Sequence, residues 1–85
     1  MKYKIEFADS FYPKELKRMP SDIRDSIKDA IATKLASAPD TFGKPLRYAL
    51  KGRRRLRVGD YRVIYFTRKT TVIILDIAHR SKVYR

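Results

Sequence analysis

The sequence predicts an α+β fold in which helices cover one face of a four-stranded sheet. Three observations support this fold class: an alternating apolar segment comes first, helical periodicity follows, and three apolar segments separated by turn residues come last. We therefore expect an N-terminal strand, an antiparallel two-helix hairpin and a three-stranded antiparallel meander, with the second face of the sheet partly open. A chain of 85 residues is expected to form one domain, residues 1–85.

The first half of the chain contains the first strand and both helices. Lys2–Phe7 alternates between charged and apolar side chains, as a strand does when one face is buried. Asp9-Ser10 is an N-cap signal for a helix that should run to about Met19, where Pro20-Ser21 ends it and caps the next helix. The second helix, over residues 22–37, has an apolar stripe at four-residue spacing formed by Ile23, Ile27, Ile31 and Leu35.

The second half contains the meander. Pro and Gly residues over positions 38–45 indicate a loop. Arg53–Val58 and Tyr61–Thr67 are predicted to be strands joined by a tight turn at Gly59-Asp60. Thr71–Ala78 is continuously apolar apart from one carboxylate, which is typical of a central strand.

Basic side chains are concentrated in the second half. The net charge is +12; residues 1–43 carry 8 basic and 7 acidic side chains, whereas residues 44–85 carry 13 basic and 2 acidic ones, Asp60 and Asp76. Such an uneven distribution indicates one basic surface, whose partner would be a nucleic acid, an anionic membrane surface or an acidic protein.

The composition disfavours several classes of site. There is no cysteine, which excludes a disulfide scaffold and fits a reducing cytosol, so we expect a cytoplasmic protein. A single histidine, no convergent carboxylates and only three glycines predict neither a metal site nor a phosphate-binding glycine loop, and no cofactor. No apolar run approaches the roughly 18 residues of a membrane-spanning helix, so no membrane partner is expected.

The remaining candidates are cationic and phenolic side chains. Alternation places Arg55 and Arg57 on one strand face, and Arg62 follows on the neighbouring strand. Arg80 and Tyr84 come after the central strand, whose end should return to the same edge of the sheet. The guanidinium fork binds phosphate in a bidentate way and stabilises the charge of a pentavalent phosphorane. Additional RNA-binding candidates are Arg53, Arg54, Tyr61, His79, Lys82 and Arg85.

Two motifs resemble a known family. RRLRVGDYRVIYF and ILDIAHRSKVYR are similar to the corresponding segments of the RelE toxins of prokaryotic toxin–antitoxin modules, within the RelE/ParE superfamily. The opening KYKIEFADSF and the helical hairpin fit the same pattern, so the resemblance covers essentially the whole chain and implies a RelE-like fold.

The resemblance implies an activity and site residues. RelE-like toxins cleave messenger RNA in the ribosomal A site through attack of a ribose 2′-OH on the adjacent phosphodiester. By this resemblance Arg55 and Arg57 take the positions of the family's basic pair, Arg62 that of the arginine in its GYR element, and Arg80 and Tyr84 those of the tail. The best-known members have lysines in the basic pair, whereas this chain has arginines, which cannot lose a proton. The general base is therefore open between Tyr84 and His79.

Two other functions compete with this interpretation. One is a ParE-like toxin that inhibits DNA gyrase by protein binding; the other is a basic RNA-binding module without catalysis. Both toxin interpretations imply a cognate RelB-like antitoxin with an acidic, largely disordered segment, and a toxin–antitoxin complex that forms a higher oligomer. The RNase interpretation adds the ribosome and mRNA as partners.

Overall fold

The structure, a computed structural model, describes residues 2–8, 14–47 and 52–82. In chain order the elements are strand β1 (Lys4–Phe7), helices α1 (Lys14–Arg18) and α2 (Ser21–Ala30), a π-helical segment (Ile31–Leu35), helix α3 (Pro39–Phe42), strands β2 (Lys44–Pro45), β3 (Arg54–Val58), β4 (Tyr61–Arg68) and β5 (Thr71–His79), and a 3-10 turn (Arg80–Lys82). The predicted α+β fold class is confirmed. The predicted cap at Asp9-Ser10 lies outside the described residues.

The strands form one sheet in the order β1-β5-β4-β3-β2. β3, β4 and β5 are the predicted antiparallel meander, and β1 joins β5 in parallel. The described part of the sheet has five strands rather than the four predicted, because Lys44 and Pro45 pair with β3 as an additional edge strand. A two-residue strand has no alternation pattern of its own, so its pairing depends on tertiary contacts.

The first and last residues of the second helix differ slightly from the prediction. Pro20, with no side-chain hydrogen bond, occupies the N-cap position, and Ser21 is the first helical residue rather than the cap. The helical path continues through the π-helical segment to Leu35. Ile27, Ile31 and Leu35 are buried, which confirms the apolar stripe.

The predicted loop over residues 38–45 contains α3 and β2. Two side chains from the helix-covered face of the sheet hold this segment. The Tyr65 hydroxyl donates a hydrogen bond to the Pro39 carbonyl at 2.6 Å, and the Arg54 guanidinium donates to the carbonyls of Asp40, at 2.7 Å, and Gly43. Tertiary hydrogen bonds thus give regular structure to a stretch without local periodicity.

The core lies between the helices and one face of the sheet. Leu56 and Val63 alternate with Arg55, Arg57 and Arg62 along their strands. The buried strand residues of the core are Leu56, Val63, Tyr65, Val72, Ile74 and Ile77. In the described part of the chain no helix is long and apolar enough to cross a membrane. The opposite face of the sheet has no helix of the described chain packed on it and is called the open face below.

Candidate nucleic-acid interface

Three arginines lie on the open face near the β3–β4 turn. Leu56 and Val63 are paired across the ladder and buried in the core, so their neighbours must point to the open face. The register pairs Arg57 with Arg62 directly, and Arg55 with Ile64. The predicted convergence of Arg55, Arg57 and Arg62 on one face is therefore a property of the sheet.

The connection between β3 and β4 permits this register. Gly59 has φ of +59°, a left-handed conformation that costs glycine little and other residues more. Gly59-Asp60 thus makes the tight turn that brings Arg57 opposite Arg62.

Arg80 reaches the same end of the sheet. Its backbone N–H donates to the Asp60 carbonyl at 2.7 Å, so the start of the 3-10 turn is attached to the β3–β4 turn. The pKa of Arg62 is lowered, first by partial desolvation and then by the charges of Arg57, Arg55 and Arg80, while Asp60 acts in the opposite direction. Arg62 therefore lies within the electrostatic influence of three other guanidinium groups.

A shallow cavity of about 250 Å³ opens beside these arginines at the edge of β3. Among the residues that the structure describes, every ionisable side chain that lines it is cationic: Lys34, Lys44, Arg55, Arg57 and Arg62. Phe42 and Leu56 contribute apolar surface. A concave surface with this charge favours an anion, and phosphate groups suit the arginine forks.

Arg54 lies on the other face. It is paired with Tyr65 in the ladder, is partly buried and hydrogen-bonds the carbonyls of Asp40 and Gly43. Arg54, a sequence candidate for RNA binding, thus holds the α3–β2 segment and lies on the face opposite Arg55 and Arg57. Arg53, by contrast, is exposed just before β3 and remains accessible to a ligand.

Tyr61 and His79 also lie on the helix-covered face. Their rings make an edge-to-face contact with centroids 5.2 Å apart, and His79 Nδ1 accepts a hydrogen bond from the Ser81 N–H at 3.2 Å. They line a larger cavity of about 420 Å³ that also has the carboxylates of Asp22 and Asp60. Two carboxylates make this cavity a poor phosphate site. Tyr61 and His79 are register partners on the helix-covered face, so the sheet separates them from the arginine face, the part of the open face formed by Arg55, Arg57 and Arg62.

The remaining sequence candidates are at the end of the chain. The backbone of Lys82 belongs to the 3-10 turn. Tyr84 and Arg85 lie outside the described residues. Within residues 2–8, 14–47 and 52–82 no three His, Cys, Asp or Glu side chains are grouped as metal ligands.

Lys34 and Lys44 are the lining residues that the sequence did not indicate. Lys34 belongs to the π-helical segment and its ammonium lies 5.8 Å from the centroid of the Phe42 ring. Lys44 belongs to β2, which sequence periodicity could not detect. The available signal for both was only the excess of basic residues.

Comparisons with known proteins identify the family and agree with the fold. The model of the family described as ParE toxin of type II toxin–antitoxin system, parDE, matches residues 5–84. The toxin RelG of Mycobacterium tuberculosis is 33% identical over 87 residues, covering 100% of this chain and 99% of that protein.

Two solved structures show the same fold. The toxin–antitoxin complex RelBE2 from Mycobacterium tuberculosis contains a chain with 31% identity and a TM-score of 0.84, covering 96% of this chain and 95% of that one. The RelB–RelE antitoxin–toxin complex from Methanococcus jannaschii gives 28% identity and a TM-score of 0.68, covering 93% and 94%. The chain thus belongs to the RelE/ParE superfamily and is a RelE-family toxin of a type II toxin–antitoxin system.

Proposed function

We propose that this toxin is a metal-independent endoribonuclease that cleaves messenger RNA in the ribosomal A site and so stops translation. The observation that carries the proposal is that Arg55, Arg57 and Arg62 line one cavity, whose described ionisable residues are all cationic. The charge of Arg80 also acts on Arg62 at this end of the sheet. A cavity of this charge favours a phosphodiester, which guanidinium forks bind in a bidentate way.

The chemistry needs no metal. The ribose 2′-oxygen forms a bond to the adjacent phosphorus while the bond from phosphorus to the 5′-oxygen breaks, leaving a 2′,3′-cyclic phosphate and a 5′-hydroxyl. The 2′-OH proton passes to a general base, and the departing 5′-oxygen takes up a proton. The extra negative charge of the phosphorane is stabilised by charge-assisted hydrogen bonds from the guanidinium groups of Arg55, Arg57, Arg62 and Arg80.

An antitoxin is the second proposed partner. The RelBE2 and RelB–RelE neighbours are toxin–antitoxin complexes, and this chain has a one-sided positive charge. We expect a RelB-like antitoxin whose acidic, disordered segment folds on the helices and the open face, where it would cover the arginines, within a complex that forms a higher oligomer. The cytoplasm, where ribosomes and mRNA are found, is the proposed site of action.

The deciding experiment compares translation with DNA replication. The chain is expressed from a tightly controlled promoter, and incorporation of labelled amino acid and of labelled thymidine is followed in the same culture. The proposal predicts that amino-acid incorporation stops first and that primer extension finds new 5′ ends within mRNA codons. Purified toxin that has been treated with EDTA, with the chelator then removed, should also cleave mRNA on programmed ribosomes.

The ParE alternative gives the opposite result. Thymidine incorporation would stop first, mRNA would stay intact, and purified toxin would inhibit supercoiling by gyrase. Normal growth with abundant folded toxin would contradict both forms of the toxin proposal.

A further inference from the structure

The proposed reaction requires a proton donor for the departing 5′-oxygen, and the arginines are unsuitable. A guanidinium does not give up its proton in proteins, whereas a lysine ammonium is protonated at neutral pH and is a far stronger acid than an alcohol. The cavity beside Arg55, Arg57 and Arg62 contains two such amines, those of Lys34 and Lys44.

The two amines differ in their surroundings. Lys34 comes from the helical side of the cavity, and its ammonium is engaged with the Phe42 ring at 5.8 Å. Lys44 is the register partner of Arg55 in the β2–β3 ladder, so both side chains leave the sheet on the open face. The Lys44 side chain is exposed, and among the described residues it has no hydrogen bond or ion pair with a protein group. Its ammonium is therefore available to a ligand held by Arg55.

The backbone at Lys44 is held in place from the other face. Tyr65 anchors Pro39, and Arg54 anchors Asp40 and Gly43, the residue immediately before Lys44. A Cβ atom on Gly43 would overlap the Tyr65 hydroxyl, so this position accepts only glycine without movement of the segment. The segment that leads into β2 is thus held by the buried Tyr65 and the half-buried Arg54.

We propose that Lys44 is the general acid of the cleavage reaction and donates a proton from Nζ to the 5′-oxygen as its bond to phosphorus breaks. The inference rests on the proposed function, since it names a proton donor for that same reaction. The 2′-OH proton leaves with the general base, the 5′-oxygen receives the Lys44 proton, and the neutral amine is reprotonated by solvent after the product leaves. The neighbouring arginines stabilise the negative charge of the phosphate, and Lys44 supplies the proton that the 5′-oxygen takes up.

The test uses two substrates in single-turnover cleavage on programmed ribosomes. One mRNA has an ordinary phosphodiester at the scissile position, and the other has a bridging 5′-sulfur there, because a thiolate leaves without protonation. Lys44→Arg keeps the positive charge but removes the proton donor. We expect Lys44→Arg to cleave the ordinary mRNA about 10²–10³-fold more slowly, the range for loss of a general acid, and the sulfur-containing mRNA at nearly the wild-type rate. Lys28→Arg, at an exposed position of α2, is the matched control and should leave both rates unchanged.

Each other outcome overturns the inference in a recognisable way. Equal slowing of both substrates by Lys44→Arg would make Lys44 an electrostatic or structural residue, and an unchanged rate on the ordinary mRNA would exclude it as the donor. If the wild-type toxin cleaves neither substrate, the proposed ribonuclease function itself fails. Because Lys44 is exposed, retained thermal stability of the variant is expected and separates loss of chemistry from loss of fold.

Discussion

Arg57 and Arg62 occupy directly opposing positions of the β3–β4 ladder, so two like charges are held side by side on the open face. Like charges in opposing strand positions destabilise a sheet. The fold therefore places a small electrostatic cost at the point where an anionic ligand would remove it.

Removing one of these guanidinium groups should affect cleavage much more than stability. We expect Arg62→Ala and Arg80→Ala each to lower single-turnover cleavage by about 10²–10³-fold, the scale for one lost transition-state charge stabiliser. Thermal stability should be unchanged or slightly higher, because repulsion is relieved. Arg68→Ala, at the opposite end of β4, is the control and should keep its activity. A large loss of stability with normal cleavage by the folded fraction would show that these arginines are structural.

Binding to single-stranded RNA should depend steeply on salt. With about four phosphate contacts, and roughly 0.7 counterions released per contact, the slope of log K against log salt should be about −3. Arg57→Ala should reduce the steepness by about 0.7, whereas Lys28→Ala should leave it unchanged. The measurement is fluorescence anisotropy with a labelled oligonucleotide at several salt concentrations, and an affinity independent of salt would exclude phosphate contacts by the arginines.

Tyr65 should make stability sensitive to alkaline pH. Burial raises the pKa of Tyr65 above its reference value of 10.0, with smaller opposing effects from Arg54. In the folded protein the hydroxyl must stay protonated to donate to Pro39, whereas in the unfolded chain it ionises near pH 10. Its contribution is therefore fully present below about pH 10 and is lost as the pH rises through the folded-state pKa.

The comparison with Tyr65→Phe isolates this effect. At pH 7 the variant should be less stable by about 1–3 kcal/mol, because the Pro39 carbonyl loses its donor. From denaturant unfolding between pH 8 and about pH 11, the advantage of the wild type should shrink above about pH 10. An advantage that grows over that range would contradict the assignment.

The general base should be Tyr84 rather than His79. His79 lies on the face opposite Arg62, with its Nδ1 occupied by the Ser81 N–H and its ring against Tyr61. Tyr84 lies outside the described residues, and the preference for it is an expectation from the sequence, in which the nearby Arg80 and Arg85 would favour a phenolate. Single-turnover pH–rate profiles of Tyr84→Phe and His79→Gln decide the matter. We expect a large loss of rate only in Tyr84→Phe; a large loss only in His79→Gln would identify the imidazole instead.

The arginine face was predictable because it follows from alternation. Once Leu56 is placed in the core, Arg55 and Arg57 must lie on the opposite face, and the Gly59-Asp60 turn sets the register that adds Arg62. The same period of two also places Arg54 with Leu56 on the core side, so its burial had a signal in the sequence that charge alone concealed. The burial of a charged residue on the core side of a strand can be predicted only when a hydrogen-bond acceptor for that residue is known.

The α3–β2 segment and Lys44 could not be predicted in this way. Helix α3 has four residues and β2 has two, which is too short for any periodic pattern. Their conformation depends on the acceptors that Pro39, Asp40 and Gly43 offer to side chains from distant strands. Such contacts join residues far apart in the chain, and no local signal marks them.

The parallel pairing of β1 with β5 has a consequence for the order of folding. Lys4 pairs with Thr71, so β1 can join the sheet only after β5 has been synthesised, whereas the meander closes through short turns. Until β1 has paired with it, the apolar β5 is an uncovered sheet edge, which is a template for pairing with other chains. β1 ends this exposure with an edge strand that has Lys4 and Glu6 among its four residues. Substitutions that weaken β1 should therefore cause aggregation during folding, while the register that groups Arg57 with Arg62 remains intact.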